Sequence, residues 1–309
     1  MQSLASFIMR GRMQAVLVSV LFAGLSLILP PLMYLSGGAV ALVTLRLGAT
    51  QGLSVMALST LALVLLAQLS MGSPLAGIVL ALIMWLPVWA LSLVLRQTVS
   101  LGATVGAATL LAATLVLAGH MILPEPAVWW QGKLEGLLGP IFDQLGVHEQ
   151  PGLREAMQQV AKFMTGFVAF AVIMNTLCSV LLARWWQAVL YNPGGFRREF
   201  HELRLPRALS IVAGLAVAVN YLANGPAAEF AGNLAVVFAG VYLMQGLAIC
   251  HDVVAKKGLH VAWLLGVYVL TLLLPQMMLL LTLLGLIDTW ANFRGHVSSS
   301  PDQGGEKPN

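Results

Sequence analysis

Apolar residues run along this chain in long, nearly unbroken blocks, separated by short polar or Gly/Pro-containing breaks. A helix crossing hydrocarbon needs about 20 predominantly apolar residues. Runs of that kind lie at 14–35, 51–70, 75–95, 100–122, 163–186, 207–224 and 229–250. A shorter apolar piece, 37–47, closes at Arg46, and a last block, 260–291, is interrupted by Pro275 and Gln276. That block is long for one crossing and short for two. Folding back at Pro275 makes two short helices, while a single tilted helix would carry the C-terminus to the other side. The pattern predicts an all-α polytopic membrane bundle of eight to ten spans, with residues 1–294 as one transmembrane domain. The Gly/Ser/Pro-rich remainder, 295–309, is expected to be a disordered tail.

Two stretches depart from simple spans. Residues 124–162 carry Trp129, Trp130, Leu134, Leu138, Ile141, Phe142 and Leu145 at near-helical spacing. They predict an external amphipathic hairpin broken at Gly139-Pro140, after which a helix starts near Gly152-Leu153 and continues into the 163–186 span. Residues 191–207 open with the turn signal Asn192-Pro193-Gly194-Gly195. Phe196, Phe200 and Leu203 then share one helical face, away from Arg197, Arg198 and Arg204, which predicts a cytoplasmic interfacial helix.

Composition agrees with lipid as the main solvent. Of 309 residues, 59% are hydrophobic and only 9% charged, against roughly a quarter charged in soluble domains. Mean hydropathy is +0.88. Soluble-enzyme, coiled-coil and disordered classes are set aside. Sixteen Lys and Arg against twelve Asp and Glu leave a net charge of +4. The cations flank apolar spans, so anionic lipid headgroups, not nucleic acid, are the expected partner. Cys178 and Cys250 have neither metal spacing nor a disulfide framework and read as apolar fillers. Arg10, Arg12 and the apolar run that follows resemble a secretory signal, with Ala39-Val40-Ala41 as a cleavage pattern, but Pro30-Pro31 intervenes. An uncleaved first span is expected.

Basic residues arbitrate the topology. With a cytoplasmic N-terminus and 37–47 counted as a short crossing, Arg10, Arg12, Arg46, Arg96, Arg184, Arg197, Arg198, Arg204, Arg207, Lys256 and Lys257 all fall inside. Only Lys133, Arg154 and Lys162 fall outside. The expected location is the bacterial cytoplasmic (inner) membrane.

Polar groups within spans are the candidate functional residues. Carboxylates keep to span ends, and no Gly-x-Ser-x-Gly, His-Glu-x-x-His or paired-Asp motif occurs. No enzyme activity, cofactor or metal site is therefore expected; His251-Asp252 lacks further ligands. Asn175, Gln245 and Asn233 form the candidate ligand-binding set, with interhelical hydrogen bonding as the plainer role. Gly102 and Gly106 allow close helix packing, within the chain or against a partner subunit. Arg184-Trp185-Trp186 reads as an interfacial belt.

Two stretches carry a family resemblance. Arg184-Trp185-Trp186-Gln187 continues to Tyr191-Asn192-Pro193-Gly194-Gly195-Phe196 and the Glu-Leu-Arg-Leu run at 202–205. The chain's last apolar helix ends in Gly285-x-x-Asp288-x-Trp290-x-x-Phe293-Arg294. Together they resemble the YybS-like bacterial membrane proteins, domain of unknown function 2232, over roughly 10–294. The resemblance implies a distant likeness to the substrate-binding subunits of energy-coupling-factor transporters, though no ligand motif carries across. Two functions are expected from these observations. One is a transport-associated subunit binding a small solute or lipid-like molecule between helices. The other is a non-catalytic scaffold for envelope or membrane-bound assemblies, working through the Trp/Arg belt, the 191–207 helix and a membrane partner.

Overall fold

The computed structural model describes residues 1–146 and 152–296, and every regular element among them is helical. The first two helices are α1 (Gln2–Ile8) and α2 (Arg12–Leu25). A 3-10 turn at Pro30–Leu32 leads to α3 (Met33–Leu47), α4 (Ala49–Met71), α5 (Pro74–Thr98) and α6 (Leu101–Ile122). Then come α7 (Pro126–Leu145), the long α8 (Leu153–Tyr191), α9 (Gly195–His201) and α10 (Arg207–Leu222). The chain ends in α11 (Pro226–Lys256), α12 (Ala262–Leu273), α13 (Pro275–Ala291) and α14 (Phe293–His296).

Among the described residues, six helices are long and apolar enough to cross a membrane, or seven if the bent α12–α13 pair counts as one span. That is fewer than the eight to ten expected. The run 14–35 does not form one span: α2 ends at Leu25, and Pro30-Pro31, which cannot donate backbone hydrogen bonds, separates it from α3. The short piece at 37–47 is correspondingly longer, a candidate span from Pro30 to Leu47. Helices α2 and α10 are shorter apolar helices. Pro275 breaks the last block into two helices bent by 118°.

Two helices form the centre. Every residue of α3 from Ser36 to Leu45 is buried, and α3 packs on α2, α4, α5 and α8. A helix apolar on all sides is a buried one, and the small residues here let neighbours approach: a Cβ at Gly37 would meet Ser179, and one at Gly38 would meet Trp186. The second central helix, α11, packs on α6, α8, α10 and α13. Helix α8, about 58 Å long at 1.5 Å per residue, joins the two groups.

The outer segment differs from its expected form. Gly139-Pro140 does not break it; α7 is continuous through Pro140. Trp130 Nε1 donates to Thr165 Oγ1 at 3.0 Å, tying α7 to α8. As expected, α8 begins at Leu153 and runs into the span. Most of the expected tail, from residue 297 onward, lies outside the described residues, as do 147–151.

Candidate functional site at the basic end

Contacts between distant residues gather the cations at one end of the bundle. Arg12 donates to Gln51, Arg96 to the Leu45 carbonyl at 2.8 Å, and Arg46 lies 4.1 Å from the Tyr191 ring centre. A Cβ at Gly102 would collide with the Arg204 carbonyl, which places the start of α6 at this end too. The opposite end holds the His120–Glu229 pair, 3.8 Å apart, and the Trp130–Thr165 tie. Both α11 and α13 finish at the basic end, where Lys256 Nζ donates to the Arg294 carbonyl at 2.8 Å.

The predicted ligand set is not brought together. Asn233 and Gln245 lie on α11 twelve residues apart, about 18 Å along the axis. Asn233 Oδ1 accepts from Gly166 N–H at 2.5 Å, and its Nδ2 donates to the Lys162 and Glu229 carbonyls at 2.8 Å each. Its amide thus bridges residues 162 and 166, one rung of the α8 ladder, where Gly166 admits it. Gln245 Oε1 accepts from Leu205 N–H at 2.8 Å. Its Nε2 donates to Gly285 O at 2.8 Å and Thr289 Oγ1 at 3.2 Å. Both amides serve interhelical structure. Asn175, on α8, is buried with its carbonyl oxygen unpartnered among the described residues.

The interface residues divide by face, because adjacent helical residues point about 100° apart. Trp186 is wholly buried against α3, whereas Trp185 is half-buried; only the second fits the expected belt. Arg184 is engaged by Glu199 through a bidentate pair at 2.5 and 2.7 Å. Between α8 and α10 the only helix is α9, with Asn192, Pro193 and Gly194 as an exposed turn in which Gly194 takes φ +83°. Leu203 is not on the Phe196/Phe200 helical face. Residues 203–206 are non-helical, and Leu203 and Leu205 alternate into the core around exposed Arg204. Gly102 seats this segment, and Gly106 makes only ordinary contacts with Pro206 and Leu209. Gly102 therefore receives a connecting segment, as α9 ends early and the extended chain fills the groove, whereas Gly106 faces the start of α10.

The C-terminal motif locks the same end. Asp288 is fully buried and pairs with Arg294 at 2.9 Å and Arg204 at 3.7 Å. Asn292 adopts φ +50°, turning the chain so that Arg294 can fold back, and Arg204 donates to its side chain. Arg294 also donates to the His201 carbonyl at 2.5 Å, and Trp290 Nε1 to Ser210 Oγ at 2.9 Å.

Two adjoining cavities open here. The first, about 680 Å³, lies between the end of α8, α9, the end of α11 and α12. An aromatic line walls it: Phe196 stacks on Phe200 at 6.0 Å, Phe200 meets the His251 ring edge-on at 5.3 Å, and His251 Nε2 lies 2.9 Å from Tyr268 Oη. Val254, Val261 and Leu264 complete it. Helix α12 has no buried residue, and this loose seating leaves the gap open. The second cavity, about 750 Å³, is lined by Arg197, Arg198, Arg204, Lys256 and Arg294 against Glu202 and Asp252. Gly194, Arg197, His201 and Ala255 belong to both. His201, outside the spanning helices, has its pKa lowered, by burial first, with Asp252 opposing and Arg197, Lys256 and Arg294 reinforcing. Gly194, Arg197, Arg198, Arg204 and Arg294 were legible in the sequence as interface residues, but the cavities were not, because their walls come from separate segments and Tyr268, Val254 and Leu264 carry no local signal.

Residues 138–289 match the family model described as Predicted membrane protein (DUF2232). The resemblance seen in the sequence is thereby supported across that stretch, which contains α9 and, of the C-terminal motif, Gly285 and Asp288. No curated protein and no solved structure matches the chain.

Proposed function

Taking a multi-pass membrane protein with the DUF2232 segment as the premise, we propose that it is a non-catalytic subunit that holds a lipid-like ligand at its basic end. In this reading the basic end and the N-terminus face the cytoplasm, and the membrane is the bacterial cytoplasmic one, by the positive-inside rule. The supporting observation is the apolar cavity beneath α12, about 680 Å³ and aromatic-walled, within the usual range of roughly 300–1,000 Å³ for small-molecule sites. The ligand site thus moves from Asn175, Asn233 and Gln245 to the α9–α11–α12 junction. A wider role in transport, with a partner subunit, rests on the distant likeness drawn from the sequence.

The test is native mass spectrometry of the full-length protein released from mild detergent. A retained lipid-sized adduct is expected, lost in Leu264→Trp, which fills the cavity, and kept in Asn175→Ala. An empty protein that instead co-purifies with envelope proteins would replace this reading with the scaffold.

A further inference from the structure

We propose that the ligand is a phosphate-bearing anionic amphiphile, whose headgroup sits in the second cavity while its apolar chain occupies the first. The inference rests on the lipid-holding reading and adds the chemistry of the headgroup. The two cavities share the wall formed by Gly194, Arg197, His201 and Ala255. One molecule with a polar head and an apolar chain can therefore lie across both. The first cavity is mainly apolar, and the second carries five cationic side chains against two carboxylates.

Part of that charge is already neutralised inside the protein. Lys256 pairs with Asp252 at 2.8 Å, and Arg294 and Arg204 share the buried Asp288. Arg197 and Arg198 make no ion pair among the described residues, and both are exposed. Arg197 borders both cavities and Arg198 only the second, as their rotation on the helix requires. Their planar guanidinium groups match phosphate oxygens, which accept two parallel hydrogen bonds. A neutral headgroup would leave this positive charge uncompensated, and a zwitterionic one would bring a further cation beside it. Simple anchoring to bulk headgroups needs no concavity, whereas these two arginines border one that continues into an apolar chamber.

The experiment titrates delipidated full-length protein in a non-ionic detergent with short-chain phosphatidic acid, short-chain phosphatidylcholine and inorganic phosphate, read by native mass spectrometry. Phosphatidic acid should bind about tenfold or more tighter than phosphatidylcholine, the size expected when a charge-assisted hydrogen bond is gained. The Arg197→Gln/Arg198→Gln double variant should abolish that preference and keep phosphatidylcholine binding, which also shows that it is folded. Leu264→Trp should weaken both lipids. Equal affinity for the two lipids, which both carry a phosphate, would overturn the anionic headgroup and leave the lipid-holding reading standing. Inorganic phosphate binding as tightly as phosphatidic acid would overturn the amphiphile in favour of a free anion. Absence of binding by either lipid would overturn both the inference and the reading beneath it.

Discussion

Gln245 shows how little a buried amide leaves for a ligand once the chain has folded around it. Its oxygen and nitrogen hold the 203–206 segment and α13 to α11. Gln245→Leu should therefore strand Leu205 N–H, costing about 1–3 kcal/mol for a buried group left unsatisfied, while the Gly285 carbonyl keeps the Thr289 hydroxyl. Denaturation in detergent micelles should record the loss, while ligand retention per folded molecule stays unchanged; the opposite pattern would restore Gln245 as a binding residue. His201 makes a second prediction at this scale. A base whose folded pKa is depressed lets the unfolded chain bind more protons, so stability rises with pH. His201's contribution is fully present above its unfolded pKa of about 6.5 and is lost as pH falls through the lower folded value. The melting temperature should drop between pH 7.5 and 5, and His201→Asn should remove part of that drop. A variant with the wild-type slope would place the titration elsewhere.

Among elements, the α11–α13 crossing sets the geometry of the basic end. A Cβ at Gly246 would overlap the Leu281 carbonyl, and one at Gly285 would overlap that of Tyr242, so the two backbones touch. Gly285→Ala should push the helices apart and cost about 1–3 kcal/mol, the typical penalty of overpacking. Because Asp288 rides on the same helix, its pair with Arg294 should be disturbed as well. Gly266→Ala, on loosely held α12 with open space around it, should be nearly silent; thermal denaturation of both variants checks the contrast. The hydrophobic blocks indicated most helices, and Pro30-Pro31 and Pro275 marked real breaks. Pro140 did not, because an interior proline removes one backbone hydrogen bond and can be carried within a continuous helix.

For the whole molecule, the gathering of Arg12, Arg46, Arg96, Arg204 and Arg294 at one end predicts a single sidedness. Single cysteines at Ser100, Glu202 and Gly258, in a Cys178→Ser/Cys250→Ser background, should react with an impermeant maleimide from the cytoplasmic side only. Cysteines at Gly72 and Gly225 should react from the other. Labelling of Gly258 and Ser100 from opposite sides would overturn the arrangement. What the sequence alone determined was whatever depends on neighbours along the chain: an all-helical membrane protein, the asymmetry of its cations, the long helix from Leu153, and the family resemblance, matched over residues 138–289. Lipid makes such properties local, since each span satisfies its own backbone and is recognised by its own length. Only the tertiary structure decided what each polar side chain does. Asn233 enters the ladder of a helix far away in sequence, Trp186 turns inward beside Trp185, and Arg197, His251 and Tyr268 meet around one cavity. A hydrogen bond or a cavity wall depends on which distant backbone comes within about 3 Å, and no periodicity along the chain encodes that distance.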